Sequence, residues 1–291
     1  MSTSSQFAAP RTIEEATALL AEHGSSARVV AGATDLMVQV RITGSYPEHY
    51  VDIKHIPDVN VIDLQADHLQ LGAAVPCAAL ADRDDVRAAF PGLVEASELI
   101  GSTQIQSRAT LGGNLCNASP AADTVPSLMA LDAEAVIAGP AGTRTVKVTE
   151  VPTGPGSTSL AAGEMLVAFR IPTPPAGSSD AYQRFIPRTE MDIAVVGVGV
   201  SVALDASGTC TAARVALGAV APTAFIAEEA GAALVGTDLG DEALAEAGRR
   251  ATAAARPIGD RRGTAEFRHD VTEVLTRRTA AVARDRARAR N

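Results

Sequence analysis

Ile13, Ala16, Leu19 and Leu20 recur at helical spacing behind Thr12-Ile-Glu-Glu15, a capping box, and the pattern stops at Gly24. Ala27–Ala31 then reads as a buried strand. A turn from Gly32 to Asp35 follows, then a short helix over Leu36–Arg41 and a second strand over Tyr50–Ile56. These elements form a small α/β unit with a glycine turn at a strand's carboxyl end.

Beyond it, Val59–Leu64 and Leu69–Ala73 alternate apolar and polar residues across Ala66-Asp67, which predicts a hairpin. Helical patterns cover Cys77–Asp82, Asp84–Ala89 and Leu93–Ile100, with Pro76 and Pro91 at or just before helix starts. Ile105–Ala122 gives no clear period. It is rich in small and amide residues, which cannot fill a core but let a ligand approach the backbone closely. Ala133–Ala138, Thr145–Val148 and Met165–Ile171 read as strands, and Pro152–Ser159 and Pro172–Ser179 as loops, the second marking a domain boundary. A second hairpin is expected from Ile193–Leu204 and Arg214–Val220. Three helical patterns close the chain: Ala224–Leu234, Asp241–Ala255 and Ala265–Arg288. Strands grouped before helices predict an α+β class.

Length and composition narrow the class. At 291 residues with 46% hydrophobic and 20% charged positions, the chain is too apolar for disorder and large enough to need no disulfide support. The cysteines, Cys77, Cys116 and Cys210, are too scattered for a disulfide framework, a zinc site or an iron–sulfur cluster held by this chain alone. The five histidines never fall at metal-ligand spacing, so no metal is expected. No apolar run suggests a signal or a transmembrane segment, which points to a reducing, cytoplasmic setting. Net charge is −9, yet Arg277 to Asn291 holds six Arg against one Asp, leaving 19 basic and 33 acidic residues elsewhere. An acidic body argues against nucleic acid, and the Arg-rich last helix reads as a solvated face that docks on an acidic partner.

Two segments carry candidate chemistry. Val29 to Leu36 is a strand entering a glycine turn, whose successive N–H groups form an anion nest beside the Thr34 hydroxyl. Thr110-Leu-Gly-Gly-Asn114 has the same character. Two such nests converging on one diphosphate would grip it without lysine, of which the chain has only Lys54 and Lys147. Neither segment matches a Rossmann or Walker pattern, and each alone is as compatible with a structural turn. Asp35 either orients a ligand or caps the following helix. Cys116 reads as a small buried hydrophobe.

Ala31-Gly-Ala-Thr-Asp-Leu36, together with Arg108 to Asp123, resembles the FAD-binding medium subunit of molybdenum hydroxylases, the xanthine dehydrogenase and carbon monoxide dehydrogenase group. Glu190 to Gly197 and Leu217 to Thr223 are similar to that family's C-terminal domain, so the likeness runs nearly the whole chain in order. It implies a two-subdomain FAD-binding region of the vanillyl-alcohol-oxidase-like (PCMH) type over 1–57 and 58–176, then a C-terminal domain over 177–291 with an antiparallel sheet and a helical bundle. By the resemblance, Val30, Ala31, Gly32, Ala33, Thr34, Asp35 and Leu36 bind the cofactor, with Gly32 to Leu36 wrapping the FAD diphosphate and Thr34 bonding a phosphate oxygen; Ala109, Thr110, Gly112, Gly113 and Asn114 bind it too, with Thr110 to Asn114 supplying the second diphosphate loop. Asp123 accepts from ribose or adenine, Ile100 and Leu166 pack on the rings, and Arg184 lies near the flavin's pyrimidine edge.

The same resemblance implies partners: a large chain with molybdopterin and a small chain with two 2Fe-2S clusters, assembled as a dimer of heterotrimers. This chain then passes electrons from FAD to an external acceptor and has no catalytic side chain of its own. A stand-alone FAD oxidase or dehydrogenase of the same fold is the alternative. The carbon monoxide branch reads Ala-Gly-Gly-His-Ser-Leu at Ala31–Leu36, so Thr34-Asp35 points to an N-heteroaromatic, purine or aldehyde substrate over carbon monoxide. With no Trp, three Tyr and six Phe, the flavin is expected to rest on backbone and aliphatic side chains.

Overall fold

In the computed structural model, which describes residues 5–291, the chain builds three principal sheets in succession. The first is parallel: β1 (Gln6–Ala8), α1 (Ile13–His23), β2 (Ala27–Val30), α2 (Leu36–Thr43) and β3 (His49–Asp52), in strand order β1-β3-β2. The helices serve as the crossovers that parallel strands require. The Thr12 hydroxyl accepts from the Glu15 N–H at 3.1 Å, while Glu15 accepts from the Arg11 N–H at 2.8 Å, so the return half of the box reaches one residue further back. The strand expected through Ile56 ends at Asp52, whose carboxylate accepts from the Lys54 N–H and turns the chain into a 3-10 turn.

The second sheet is antiparallel. β4 (Ile62–Leu64) and β5 (His68–Gly72) form the predicted hairpin. Six short helices follow: α3 (Cys77–Ala81), α4 (Asp84–Ala89), α5 (Pro91–Glu98), α6 (Thr103–Gln106), α7 (Leu111–Cys116) and α8 (Thr124–Ala130). Then come β6 (Glu134–Gly139), β7 (Gly142–Lys147), a small hairpin of β8 (Pro152–Gly154) and β9 (Ser157–Thr158), and β10 (Met165–Pro172). β10 re-enters the middle of the order β4-β5-β10-β6-β7, and Leu69, Leu71, Phe90, Leu93, Leu115, Ile137 and Phe169 pack the core between sheet and helices.

The third sheet, β11 (Ser178–Phe185), β12 (Val196–Leu204), β13 (Cys210–Gly218) and β14 (Phe225–Ile226), is antiparallel in that order. α9 (Glu228–Ala232), α10 (Asp241–Ala254) and the long α11 (Ala265–Ala289) complete it, with α11 laid on β11 and β12. The class is α+β. No helix among the described residues is long and apolar enough to cross a membrane.

Two departures from the sequence pattern have a common cause. β11 begins inside the expected Pro172–Ser179 loop because its buried polar residues find partners elsewhere in the chain. Asp180 accepts from the Leu93 N–H at 3.0 Å, and the carbonyls of Ser178 and Asp180 accept from Arg290, just past α11, and from Arg286 within it, each at 3.1 Å. Those arginines correct the second expectation. Arg284 donates to Leu239 O, Arg286 to Glu95 and Asp180 O, Arg288 to Asp238 O, and Arg290 to the Ser178 and Ala89 carbonyls. Four of the six arginines between Arg277 and Asn291 are therefore engaged within this chain, while Arg277 and Arg278 stay exposed.

Burial pushes the Asp180 carboxyl up to about 7, against the pull of the Gly92 and Leu93 N–H groups. A carboxyl that binds its proton more tightly folded than unfolded weakens the fold as pH climbs from about 4 through that value. Asp180→Asn is expected to gain on the wild type by up to a few kcal/mol between about pH 5 and about pH 8, a tenfold change in proton affinity being ~1.4 kcal/mol. Melting curves of both proteins across that range check it.

Candidate functional site

The carboxyl end of β2 runs directly into the glycine turn, and the two candidate loops meet there. A Cβ on Gly32 would lie 2.0 Å from the Arg108 carbonyl oxygen and 3.0 Å from Ala109 Cα. One on Gly112 would lie 2.4 Å from the Ala73 carbonyl oxygen. Backbone packs on backbone at both points, which only glycine permits. Gly113 differs, since its Cβ would meet only the Thr110 hydroxyl at 3.1 Å. Ala33 holds a left-handed backbone with φ 62°, a conformation uncommon for a residue with a side chain and typical of strained ligand-binding turns.

Between the loops lies a cleft of about 350 Å3. Ala31, Gly32, Ala33, Thr34, Asp35 and Leu36 line one side, Ala109, Thr110, Gly112, Gly113 and Asn114 the other, and Ile100 and Leu166 contribute aliphatic surface. Thr110 spends its hydroxyl on capping α7, accepting from the Gly113 N–H at 2.9 Å. This cap explains why a stretch with two glycines is helical. Asn114 accepts from the Thr124 hydroxyl at 2.7 Å and its N–H at 3.1 Å, fixing the loop before α8. Asp35 does not cap α2: its backbone is already helical, and its carboxylate makes no capping bond. Burial against the cleft raises its pKa.

Three predicted residues stand away from the cleft lining. Val30 is buried in the core beneath the turn. Asp123 and Arg184 pair with each other at 2.7 Å, their side chains 11% and 3% exposed, and Tyr182 donates to the same carboxylate at 3.0 Å. The cluster ties the start of α8 to β11. Burial pushes Asp123 up to about 6, with Arg184 and Tyr182 pulling it back. Arg184 also lines a separate cavity of about 490 Å3 with Ser102, Thr103, Thr189 and Glu190.

The cleft also uses residues that sequence reasoning passed over. Arg28 comes from β2, Gln39 and Asn117 bond each other at 2.7 Å, and Gly156, Leu160, Glu164 and Met165 complete the lining. Gly156 sits in the β8–β9 turn, where its N–H bonds the Ala118 carbonyl at 3.0 Å. The region read as a plain loop is thus a hairpin pinned to the cleft. None of the lining side chains is aromatic.

Glu164 and Cys116, both in the lining, are not poised for acid–base chemistry. Arg144 grips both oxygens of Glu164 at 2.7 Å and holds it down to about 2, while burial pushes the Cys116 thiol up to about 12. Glycine cradles without a Cβ, a left-handed turn and aliphatic walls fit a diphosphate-linked planar cofactor.

Residues 3–174 match the family model described as FAD binding domain in molybdopterin dehydrogenase, and residues 181–283 that of the CO dehydrogenase flavoprotein C-terminal domain. The chain belongs to the FAD-binding medium subunits of the molybdenum hydroxylases. It is 37% identical over 282 residues to the carbon monoxide dehydrogenase medium chain of Afipia carboxidovorans, covering 97% of this chain and 96% of that one. It is 31% identical to the 6-hydroxypseudooxynicotine dehydrogenase complex subunit alpha of Paenarthrobacter nicotinovorans, covering 95% and 93%. Among solved structures, it superposes on CO dehydrogenase from Oligotropha carboxidovorans with TM-score 0.93 and 35% identity, over 97% of this chain and 98% of that chain. Quinoline 2-oxidoreductase from Pseudomonas putida gives TM-score 0.90 and 29% identity over 98% of each.

This medium subunit is therefore an oxidoreductase component. Its relatives carry names spanning carbon monoxide, pyridine-derived and quinoline substrates, so likeness does not select a substrate, and the expectation against carbon monoxide gains no support.

Proposed function

We propose that this chain is the electron-output subunit of a cytoplasmic heteromeric molybdenum hydroxylase. It would receive electrons from two 2Fe-2S clusters of a small partner, fed by molybdopterin in a large partner, and deliver them to an external acceptor from a dimer of heterotrimers. Residues 1–57 and 58–176 act as the two FAD-binding subdomains, and 177–291 as the C-terminal domain. The observation that carries this reading is the interlock of the two loops at Gly32 and Gly112 around an aliphatic cleft without aromatic side chains.

FAD bound there would supply the junction between one-electron carriers and a two-electron acceptor. The chain's own part is to hold and shield it. N–H groups of the turn at Gly32–Thr34 and those of Leu111 and Gly112 at the start of α7 would face the diphosphate, and Ile100 and Leu166 would keep water from the rings. Thr34-Asp35 favours an N-heteroaromatic, purine or aldehyde substrate for the complex, on its resemblance to those branches.

Isolation through an affinity tag on this chain tests the assembly. The expected result is co-purification with one large and one small chain carrying molybdenum and about four iron atoms per molybdenum, as two 2Fe-2S clusters require. A chain that purifies alone and oxidises a donor unaided contradicts the proposal and favours the stand-alone oxidase.

A further inference from the structure

A surface helix ordinarily buries its apolar residues and exposes its polar ones, and α2 does the reverse. Of its eight residues only Val40 is buried, while Met37, Val38 and Ile42 stand exposed, Ile42 at 78%. Met37 and Arg41 are four positions apart, as are Val38 and Ile42, so the four side chains form one stripe. The opposite arc is used within the chain: Leu36 and Gln39 line the cleft, and Gln39 bonds Asn117. Three large apolar side chains on one exposed stripe mark an interaction surface.

We propose that this stripe docks the small 2Fe-2S chain, so that α2 is the wall through which electrons enter. The proposal rests on the assembly proposed above and assigns one of its contacts. Electron transfer falls off steeply with distance, and a chain seated on α2 stands about one helix diameter, roughly 10 Å, from the cleft. The large chain feeds the clusters and not the flavin, so it has no such need. Charge points the same way. The whole chain carries net charge −9, yet α2 holds Arg41 as its single charged residue, set within the apolar stripe. A 2Fe-2S cluster is net negative, because its sulfides and thiolates outweigh the iron ions, and it complements that arginine. A second copy of this chain fits worse, since a two-fold contact on the stripe brings two Arg41 side chains together.

The test uses the complex isolated through a tag on this chain, with a photo-reactive benzoylphenylalanine in place of Ile42. Irradiation is expected to join this chain to the small 2Fe-2S chain. A cross-link to the large chain or to a second copy, or none in a complex that holds both partners, overturns the proposal. Met37→Glu combined with Ile42→Glu sets two carboxylates in the contact. It is expected to lower retained iron per FAD at least roughly tenfold, with FAD per copy of this chain unchanged. Arg41→Glu should lower it too, more at about 50 mM than at about 500 mM NaCl, with Arg41→Lys close to wild type. Full iron per FAD in the double variant, or in Arg41→Glu at low salt, overturns the proposal. A wild-type chain that purifies without partners overturns the assembly itself and this inference with it.

Discussion

Gly32→Ala is expected to leave the complex without FAD. The new Cβ would lie 2.0 Å from the Arg108 carbonyl oxygen, 2.7 Å from its carbon and 3.0 Å from Ala109 Cα. All three atoms are backbone, so no side-chain rotation relieves the clash and the two loops must part. Parting them separates the turn at Gly32–Thr34 from the loop at Thr110–Gly113, and a loss of roughly a hundredfold in FAD affinity follows from an overpacking cost near the upper end of about 1–3 kcal/mol. Gly113→Ala is the control: its Cβ meets only the Thr110 hydroxyl at 3.1 Å, and it should retain most of the flavin. Flavin absorbance per chain after denaturation separates the two.

Asp123→Ala is expected to destabilise the chain by roughly 3–5 kcal/mol. The substitution strands Arg184, whose side chain is 3% exposed, and takes the acceptor from the Tyr182 hydroxyl. Breaking a buried pair from one side leaves an uncompensated charge, whereas replacing both partners with apolar residues does not. Asp123→Leu combined with Arg184→Met should therefore lie closer to wild type than Asp123→Ala. Urea unfolding of the three chains measures the difference. A loss below about 1 kcal/mol in Asp123→Ala would place this pair with surface ion pairs and remove it as the link between α8 and β11.

Much of this architecture was legible because ordinary signals mark it. The Thr12 hydroxyl cap and Gly24 delimit α1, and alternation marks the β4–β5 and β12–β13 hairpins. What escaped depends on partners distant in sequence. α7 contains Gly112 and Gly113, residues that argue against a helix, and forms because Thr110 caps it and Gly112 packs on Ala73. β11 opens with Ser178-Ser-Asp180, polar residues no strand pattern would bury, and is held by α5 and by arginines over a hundred positions away.

The cleft divides in the same way. Its two loops could be read from glycines and small residues, and the structure brings both to one cavity. Asp123 and Arg184 were assigned to the cofactor by resemblance alone. Here they pair with each other across 61 positions of chain, a pairing that no local pattern encodes, with Arg184 Nε left without a partner among the described residues. Composition does not show that four of the six arginines in the tail, Arg284, Arg286, Arg288 and Arg290, bond to carbonyls or carboxylates of the same chain.

The central claim is that this chain carries the flavin of its complex, and the flavin content of that complex tests it most directly. Wild-type complex, isolated through this chain and denatured, is predicted to release one FAD per copy of the chain. The Gly32→Ala complex is predicted to keep its large and small partners yet release almost none and lose transfer to the acceptor. A flavin-free wild-type complex with full donor-to-acceptor turnover, or FAD retained in full by Gly32→Ala, would contradict the account.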